Sequence, residues 1–268
     1  MNEPMTQTGA RQPPVAIVTG ATGAIGSASA ARLAQAGWRV ALVARDPDRG
    51  GQLAGELGAG AMAFQADARV SSSLDSAFRH IAERLGPPSA LLHAVGSTLL
   101  RPAHTVTDDE LDEIIATNLT SAFYALRAFV RTAARGGTSA ALFFSSAATD
   151  IGLVNHEAIS AAKGGIDGLV RAAAATYAGR GMRVNAVAPG LVRSNLTRRL
   201  VENPATLAAS EWMHPLGRIG EADDVAALAA FLVGSQASWI TGQIIAVDGG
   251  LSQLKLAPPA ERIRATGA

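Results

Sequence analysis

V-A-I-V-T-G-A-T-G-A-I-G, residues 15–26, is the stretch whose reading decides the fold. Val15 to Thr19 form a short apolar run of strand length, and residues 23–36 form an alanine-rich stretch that reads as helix. The glycine-rich turn between them has a physical task. Gly20 permits a tight reversal, and small residues let backbone N–H groups approach a pyrophosphate at the helix N-terminus, where the helix dipole favours negative charge. Gly26 lets the helix pack closely on the sheet. A glycine-rich turn alone also fits an ordinary strand–helix connection. Its place between the first strand and the first helix points to dinucleotide binding.

Further apolar runs follow at 39–44, 61–65, 90–94, 140–145, 183–188 and 244–248, and each reads as a strand. Between them, helices are expected over 71–85, 156–178 and 222–234. Thr107-Asp108-Asp109-Glu110 is a capping box, so a long helix is expected from there to about Arg135. Strict alternation of strand and helix predicts an α/β fold: a doubly wound, seven-stranded parallel sheet of the Rossmann type in three α/β/α layers. Mostly apolar strands fit a sheet covered on both faces. The expected organisation is a flexible arm over 1–14, one domain over 15–251 and a loosely ordered tail over 252–268. Residues 191–220 interrupt the alternation and are the expected lid or substrate loop.

Composition narrows the function. The chain has 268 residues, 48% of them apolar, enough for one sizeable core. Lys and Arg (23) nearly balance Asp and Glu (22), which argues against nucleic acid or an anionic membrane as main partner. There is no cysteine, so no disulfide, thiol nucleophile or thiolate metal site is possible. No apolar run is long enough to span a bilayer, and the N-terminus lacks an apolar signal core. A soluble cytoplasmic protein is expected. No His/Asp/Glu group shows metal-ligand spacing.

The second strand ends Val43-Ala44-Arg45. An NAD site places an acidic residue near this point to bind the ribose 2′-hydroxyl, whereas a guanidinium suits a 2′-phosphate. Arg45 therefore predicts NADP(H) rather than NAD, although a solvated surface arginine would look the same.

These residues, with those that follow, resemble the short-chain dehydrogenase/reductase family over about residues 15–250. T-G-A-T-G-A-I-G (19–26) resembles its cofactor turn, with Ala24 in place of the middle glycine. The resemblance implies cofactor contacts from Gly20, Thr22, Gly23, Ile25 and Gly26, from Asp67 and Ala68 near the adenine, and from Ala94. His93-Ala94-Val95-Gly96 stands where the family has Asn-Asn-Ala-Gly. V-N-A-V-A-P-G-L-V-R-S (184–194) resembles the segment that closes over the nicotinamide, implying contacts from Pro189, Gly190, Val192 and Ser194. Residues 217–250, with W-I-T-G-Q and V-D-G-G, also resemble the family, which implies a homotetramer or dimer acting on a small molecule. Asn118, Ser146 and Lys163 match its catalytic asparagine, serine and lysine, and Lys163 is also expected on the nicotinamide ribose.

One departure matters. The family's mechanism uses Tyr-x-x-x-Lys on one helix, because residues four apart share a face and an ammonium lowers the pKa of a neighbouring phenol. The phenol then exchanges a proton with the substrate oxygen. Here, thirteen residues after Ser146 and four before Lys163, stands Ile159. The two tyrosines, Tyr124 and Tyr177, are not convincing replacements. His156, three residues earlier, is the candidate proton donor if the helix has already begun, with Asn155 as its N-cap; a solvated first-turn histidine is the plain alternative. His214 lies in the expected lid, where it meets substrate or simply packs. His93 is expected to pack or to line the adenine pocket. Three functions stay open: an NADP(H)-dependent oxidoreductase on a carbonyl or alcohol with altered proton transfer, a non-redox enzyme on the same fold (a dehydratase, isomerase or cyclase), and a silent NADP(H)-binding subunit.

Overall fold

A computed structural model describes residues 12–134 and 137–255. Most of the expected arm and tail, and the expected helix end at Arg135, lie outside the described residues. Seven strands form one parallel sheet: β1 (Val15–Thr19), β2 (Arg39–Ala44), β3 (Ala61–Gln65), β4 (Ala90–His93), β5 (Ser139–Phe144), β6 (Met182–Pro189) and β7 (Ile244–Val247). Their order is β3-β2-β1-β4-β5-β6-β7, so the sheet reverses its winding between β1 and β4. That reversal opens the crevice in which doubly wound folds bind their ligands, beyond the carboxyl ends of the strands.

The alternation of side chains along each strand builds two cores, one on each face. Val15 and Ile17 of β1 join a cluster with Leu74, Phe78 and Ile81 of α3 (Ser71–Leu85), Leu126 and Phe129 of α5 (Ser121–Thr132), and Ile166 and Val170 of α6 (Glu157–Tyr177). Ala16 and Val18 face the other way. They pack with Leu33 of α1 (Ala24–Gln35) and with Val225, Ala229 and Leu232 of α9 (Ala222–Val233). The central strands are buried on both faces, as their near-continuous apolar sequences require, while the edge strands β3 and β7 are half-buried.

Three local features depart from the sequence expectations. Helix α2 (Pro47–Leu57) fills the β2–β3 connection, with the Asp46 carboxylate accepting from the N–H groups of Asp48 and Arg49 at 3.0 and 3.1 Å. The long helix expected over 107–135 is interrupted. Thr107 and Glu110 do form the capping box that starts α4 (Asp108–Ile115), but residues Ala116–Thr120 widen into a π turn before α5 begins. The expected lid contains two helices, α7 (Arg198–Val201) and α8 (Pro204–Met213), the second capped by the Asn203 side chain on the Thr206 N–H at 3.0 Å.

Candidate active site

The connections after β1 and β4, the two strands at the winding reversal, meet backbone to backbone. Gly20 has φ +69°, and a Cβ placed there would stand 2.6 Å from the Ala94 carbonyl oxygen. A Cβ on Gly26 would collide with the Gly20 carbonyl. Gly23, the N-cap of α1, provides no side-chain cap, so no side chain competes for the leading N–H groups of that helix. Above this turn lies a cleft of about 570 Å³ lined by Thr22, Ala24 and Ser27 on one side and by Arg193, Ser194 and Arg198 on the other. Glu202 and Glu221 also line the cleft and pair with Arg198 and Arg193, at 3.9 and 3.2 Å, so the anion-binding feature here is the uncapped end of α1, which suits a pyrophosphate.

At the adenosine end, Arg45 is exposed after β2. The carboxylate next to it, Asp46, is turned into the α2 cap and away from any ribose. A second guanidinium joins this rim: Arg49 donates to the Thr22 carbonyl at 3.3 Å. Sequence reading passed over Arg49 because α2 itself went unread. Asp67 is firmly held. Its Oδ1 accepts from the Arg69 N–H at 2.9 Å and its Oδ2 from the Arg69 guanidinium at 2.9 Å, and Arg69 continues to Glu113 of α4. The Arg69 hydrogen bond holds the Asp67 carboxyl below the usual carboxylate range. Ala68 is buried behind it.

The π turn presents Asn118, which is almost fully buried. Its Nδ2 donates to the Ile114 carbonyl at 3.0 Å and to Ser97 Oγ at 3.1 Å, while Oδ1 accepts from the Ser97 N–H at 3.1 Å. Lys163 of α6 reaches the same place. A methyl on Gly96 would stand 3.2 Å from Asn118 Oδ1 and 3.7 Å from Lys163 Nζ, so amide and amine converge on one backbone position. Lys163 Nζ also donates to the Phe144 carbonyl at 2.8 Å, at the end of β5. Two residues on, Ser146 Oγ accepts from the Ala148 N–H at 3.2 Å. Its hydroxyl proton has no acceptor among the described residues and is free to be donated to a substrate oxygen. Burial pushes the Lys163 ammonium down to about 8, and the charge of Asp167 opposes that shift. The structure thus brings Asn118, Ser146 and Lys163 together.

Ile159 is 6% exposed and packs with Ile114, Ala158 and Ala162, against Leu99 and Leu100. It brings only hydrocarbon to the face that carries Lys163. The tyrosines lie elsewhere. Both pack against the first core, with the Arg127 guanidinium 5.1 Å from the Tyr124 ring centre and that of Arg180 5.6 Å from the Tyr177 ring centre. No hydrogen bond joins either phenol to Lys163 or Ser146 among the described residues. His156 sits differently from expectation. Helix α6 begins at Glu157, His156 is its N-cap, and Asn155, expected in that role, has φ +64°. The His156 Nδ1 is 2.8 Å from the Val154 carbonyl, so the ring is bonded to its own loop.

His93 is a buried structural link. Ser121 Oγ donates to the Thr117 carbonyl in the π turn, so it accepts from His93 Nε2–H at 3.0 Å, which leaves Nδ1 to accept from Thr19 Oγ1 at 2.7 Å. One neutral imidazole therefore ties the end of β1 to the turn that bears Asn118. Burial, and then the Lys163 charge, push its pKa down to about 3. In the unfolded chain the same ring takes a proton near pH 6.5. Between these values the unfolded state binds more protons, so stability is lost as pH falls from about 6.5 toward 3. Urea unfolding at pH 7.5 and pH 5.0 is expected to show a His93 contribution of about 2 kcal/mol to that loss, absent from His93→Asn. Equal pH dependence in both proteins would contradict a neutral buried ring.

Beyond Pro189, the segment expected to close over the nicotinamide is pinned at several points. Gly190 N–H donates to the Val247 carbonyl at 3.1 Å, Val192 is buried and bridged to Gly220, and Ser194 Oγ lies 3.0 Å from Thr197 Oγ1. Among the described residues no group of three or more His, Asp or Glu side chains is placed to hold a metal ion, and no helix is long and apolar enough to cross a membrane.

Comparison with known proteins agrees with this geometry. The family profile described as enoyl-(acyl carrier protein) reductase matches residues 20–252. Galactitol 2-dehydrogenase (L-tagatose-forming) of Cereibacter sphaeroides is 37% identical over 240 residues, covering 88% of this chain and 93% of that protein. A protein of Xanthobacter autotrophicus described as inactive 2-(S)-hydroxypropyl-CoM dehydrogenase 2 is 34% identical, covering 82% and 97%. Among solved structures, a tryptophan-substituted actinorhodin polyketide ketoreductase with NADPH superposes with a TM-score of 0.85 at 28% identity, covering 91% of this chain and all of that one. Fold and relatives define an oxidoreductase of the dinucleotide-binding type. The chain belongs to the short-chain dehydrogenase/reductase family.

Proposed function

We propose that this protein is an NADP(H)-dependent oxidoreductase acting on a carbonyl or alcohol, with its proton supplied by water instead of a phenol. The observation that carries the reading is the convergence of Asn118 and Lys163 on Gly96, with the Ser146 hydroxyl proton lacking an acceptor among the described residues and Ile159 packed into hydrocarbon. When bound, a nicotinamide cofactor would supply or take a hydride, and a carbonyl, a hydride and a proton together make an alcohol. Ser146 donates a hydrogen bond to the substrate oxygen and polarises it. Lys163 and Asn118 hold a water on the line to that oxygen, and the lowered pKa of the Lys163 ammonium lets it pass a proton near neutral pH. His156 is the other donor weighed, and its bond to Val154 favours the water route.

The NADP(H) preference rests on Arg45 and Arg49 at the rim, with Asp46 withdrawn into a helix cap. In Arg45→Asp the NADPH dissociation constant is expected to rise at least about tenfold while NADH binding is little changed or improves, as measured by fluorescence titration. Activity is tested by NADPH consumption across a panel of ketones and aldehydes. Ser146→Ala is expected to lose about 10²-fold or more of whatever rate is found. A His156→Ala variant that loses as much would move the proton donor to His156.

A second reading has one observation behind it. The hydrocarbon cluster around Ile159 also suits a silent cofactor-binding subunit, and one relative is described as inactive. Tight NADPH binding with no consumption across the panel would favour it. Product formed without net cofactor consumption would instead point to a dehydratase, isomerase or cyclase.

A further inference from the structure

His214 was expected either to meet substrate or to pack, and it does something more specific. It stands at the C-cap of α8 and is only 3% exposed. Its Nε2 accepts from the Leu191 backbone N–H at 3.2 Å. A backbone N–H can only donate, so Nε2 carries no proton. The ring proton is therefore on Nδ1, which donates to the Ser210 carbonyl at 2.6 Å. Ser210 belongs to the last turn of α8, and its carbonyl also accepts from the His214 backbone N–H at 3.2 Å. Leu191 begins the lid, and His214 follows directly on its second helix. One imidazole thus joins the two stems of the lid, adding a side-chain bond to a carbonyl at the end of α8.

The surroundings are shaped for this ring. A Cβ on Gly190 would stand 2.7 Å from His214 Nε2 and 3.0 Å from the Asp248 Cα, so only glycine lets the imidazole reach the strand-end backbone. The stem is fixed on its other side by the Leu216 N–H donating to the Gly249 carbonyl at 3.1 Å and by the Gly217 N–H donating to the His214 carbonyl at 2.7 Å. The nearby Asp248 carboxylate is occupied by the N–H groups of Gly250 and Ser252, at 2.9 and 2.8 Å, and so leaves the imidazole to Leu191.

We propose that His214 is the positioning residue that clasps the substrate lid, holding α8 against the Gly190–Leu191 backbone and thereby fixing the cleft wall that carries Arg193, Ser194 and Arg198. Its bearing on catalysis rests on the oxidoreductase reading above; the clasp itself does not. Without the ring, the two stems lose the side chain that joins them and the lid opens more often. A glutamine can make both bonds, since its amide oxygen accepts and its amide nitrogen donates; a leucine can make neither.

The test is limited trypsin digestion of the full chain with saturating NADPH, scored by mass spectrometry at Arg193, Arg198 and Arg199. His214→Leu is expected to be cut at these sites at least about tenfold faster than wild type, since both buried hydrogen bonds of the ring are lost. His214→Gln is expected to stay within about threefold of wild type, and such rescue would not occur if the ring served only to fill space. Equal cutting of His214→Leu and wild type overturns the clasp, as does equal acceleration in both variants. Should His214→Leu fail to fold, the ring nitrogen NMR shifts of the wild-type protein decide the matter: the Nδ1–H tautomer supports the clasp, and the Nε2–H tautomer or a charged ring overturns it. None of these readouts requires turnover. A protein with no reductase activity but a His214-dependent lid would refute the functional reading and leave the clasp standing.

Discussion

Ile159→Tyr is expected to raise NADPH-dependent carbonyl reduction by about 10²–10⁴-fold, the usual contribution of a well-placed general acid. The new side chain would stand one helical turn before Lys163 on the same face. The ammonium would pull the phenol below its ordinary pKa of about 10 and make it an effective donor. Because burial holds Lys163 at about 8, that help weakens above pH 8, where the amine loses its charge. The gain is therefore expected to be largest below pH 8 and to shrink above it. The larger ring must enter a packed cluster of Ile114, Leu99 and Leu100, which costs about 1–3 kcal/mol of stability. Ile159→Phe carries nearly the same steric burden without the hydroxyl and is the control. If tyrosine gives no more activity than phenylalanine, the hydrocarbon at 159 is not what limits the enzyme.

Gly26→Ala is expected to weaken NADPH binding by about 10²-fold and to lower the melting temperature by about 5 °C or more. The added methyl would be driven into the Gly20 carbonyl, so either the turn or α1 must shift. An overpacking penalty of about 2–3 kcal/mol corresponds to both figures for a domain of this size. Both effects arise at one contact, so they are expected to appear together in calorimetric titration and thermal melts. Wild-type cofactor affinity in this variant would show that the turn does not cradle the pyrophosphate.

The sheet was legible because parallel strands buried on both faces are written as unbroken apolar runs, and β1, β2 and β3 begin and end where those runs do. Helix α2 was legible in principle: Asp46 followed by Pro47 is a start signal, and it went unread because the helix carries little apolar pattern, with only Gly50 buried. The π turn at 116–120 was not legible. One extra residue per turn shifts the helix phase while the apolar composition on either side stays the same. At the site, spacing alone singled out Ser146, Ile159 and Lys163, and in the structure Lys163 of α6 reaches the end of β5, two residues before Ser146. The histidines were harder. His156 depended on where α6 starts, and Asn155 in a left-handed conformation moved that start by one residue. His93 and His214 act through partners 28 to 74 and 4 to 23 residues away, so most of what they join is set by tertiary packing that no local pattern encodes.

The widened turn before α5 has a bearing on redesign. Rods α4 and α5 are held at a fixed rotational offset, and trimming one residue to regularise the joint would swing everything on one side by about 100° around the axis. The amide now aimed at Gly96 would then point elsewhere, and the Ser121–His93–Thr19 chain would lose its anchor at Thr117. A smoother, more thermally robust version of this region would therefore be a disarmed one. Consensus or computational idealisation should leave residues 116–120 untouched and seek its gains in the exposed positions of α2 and α8.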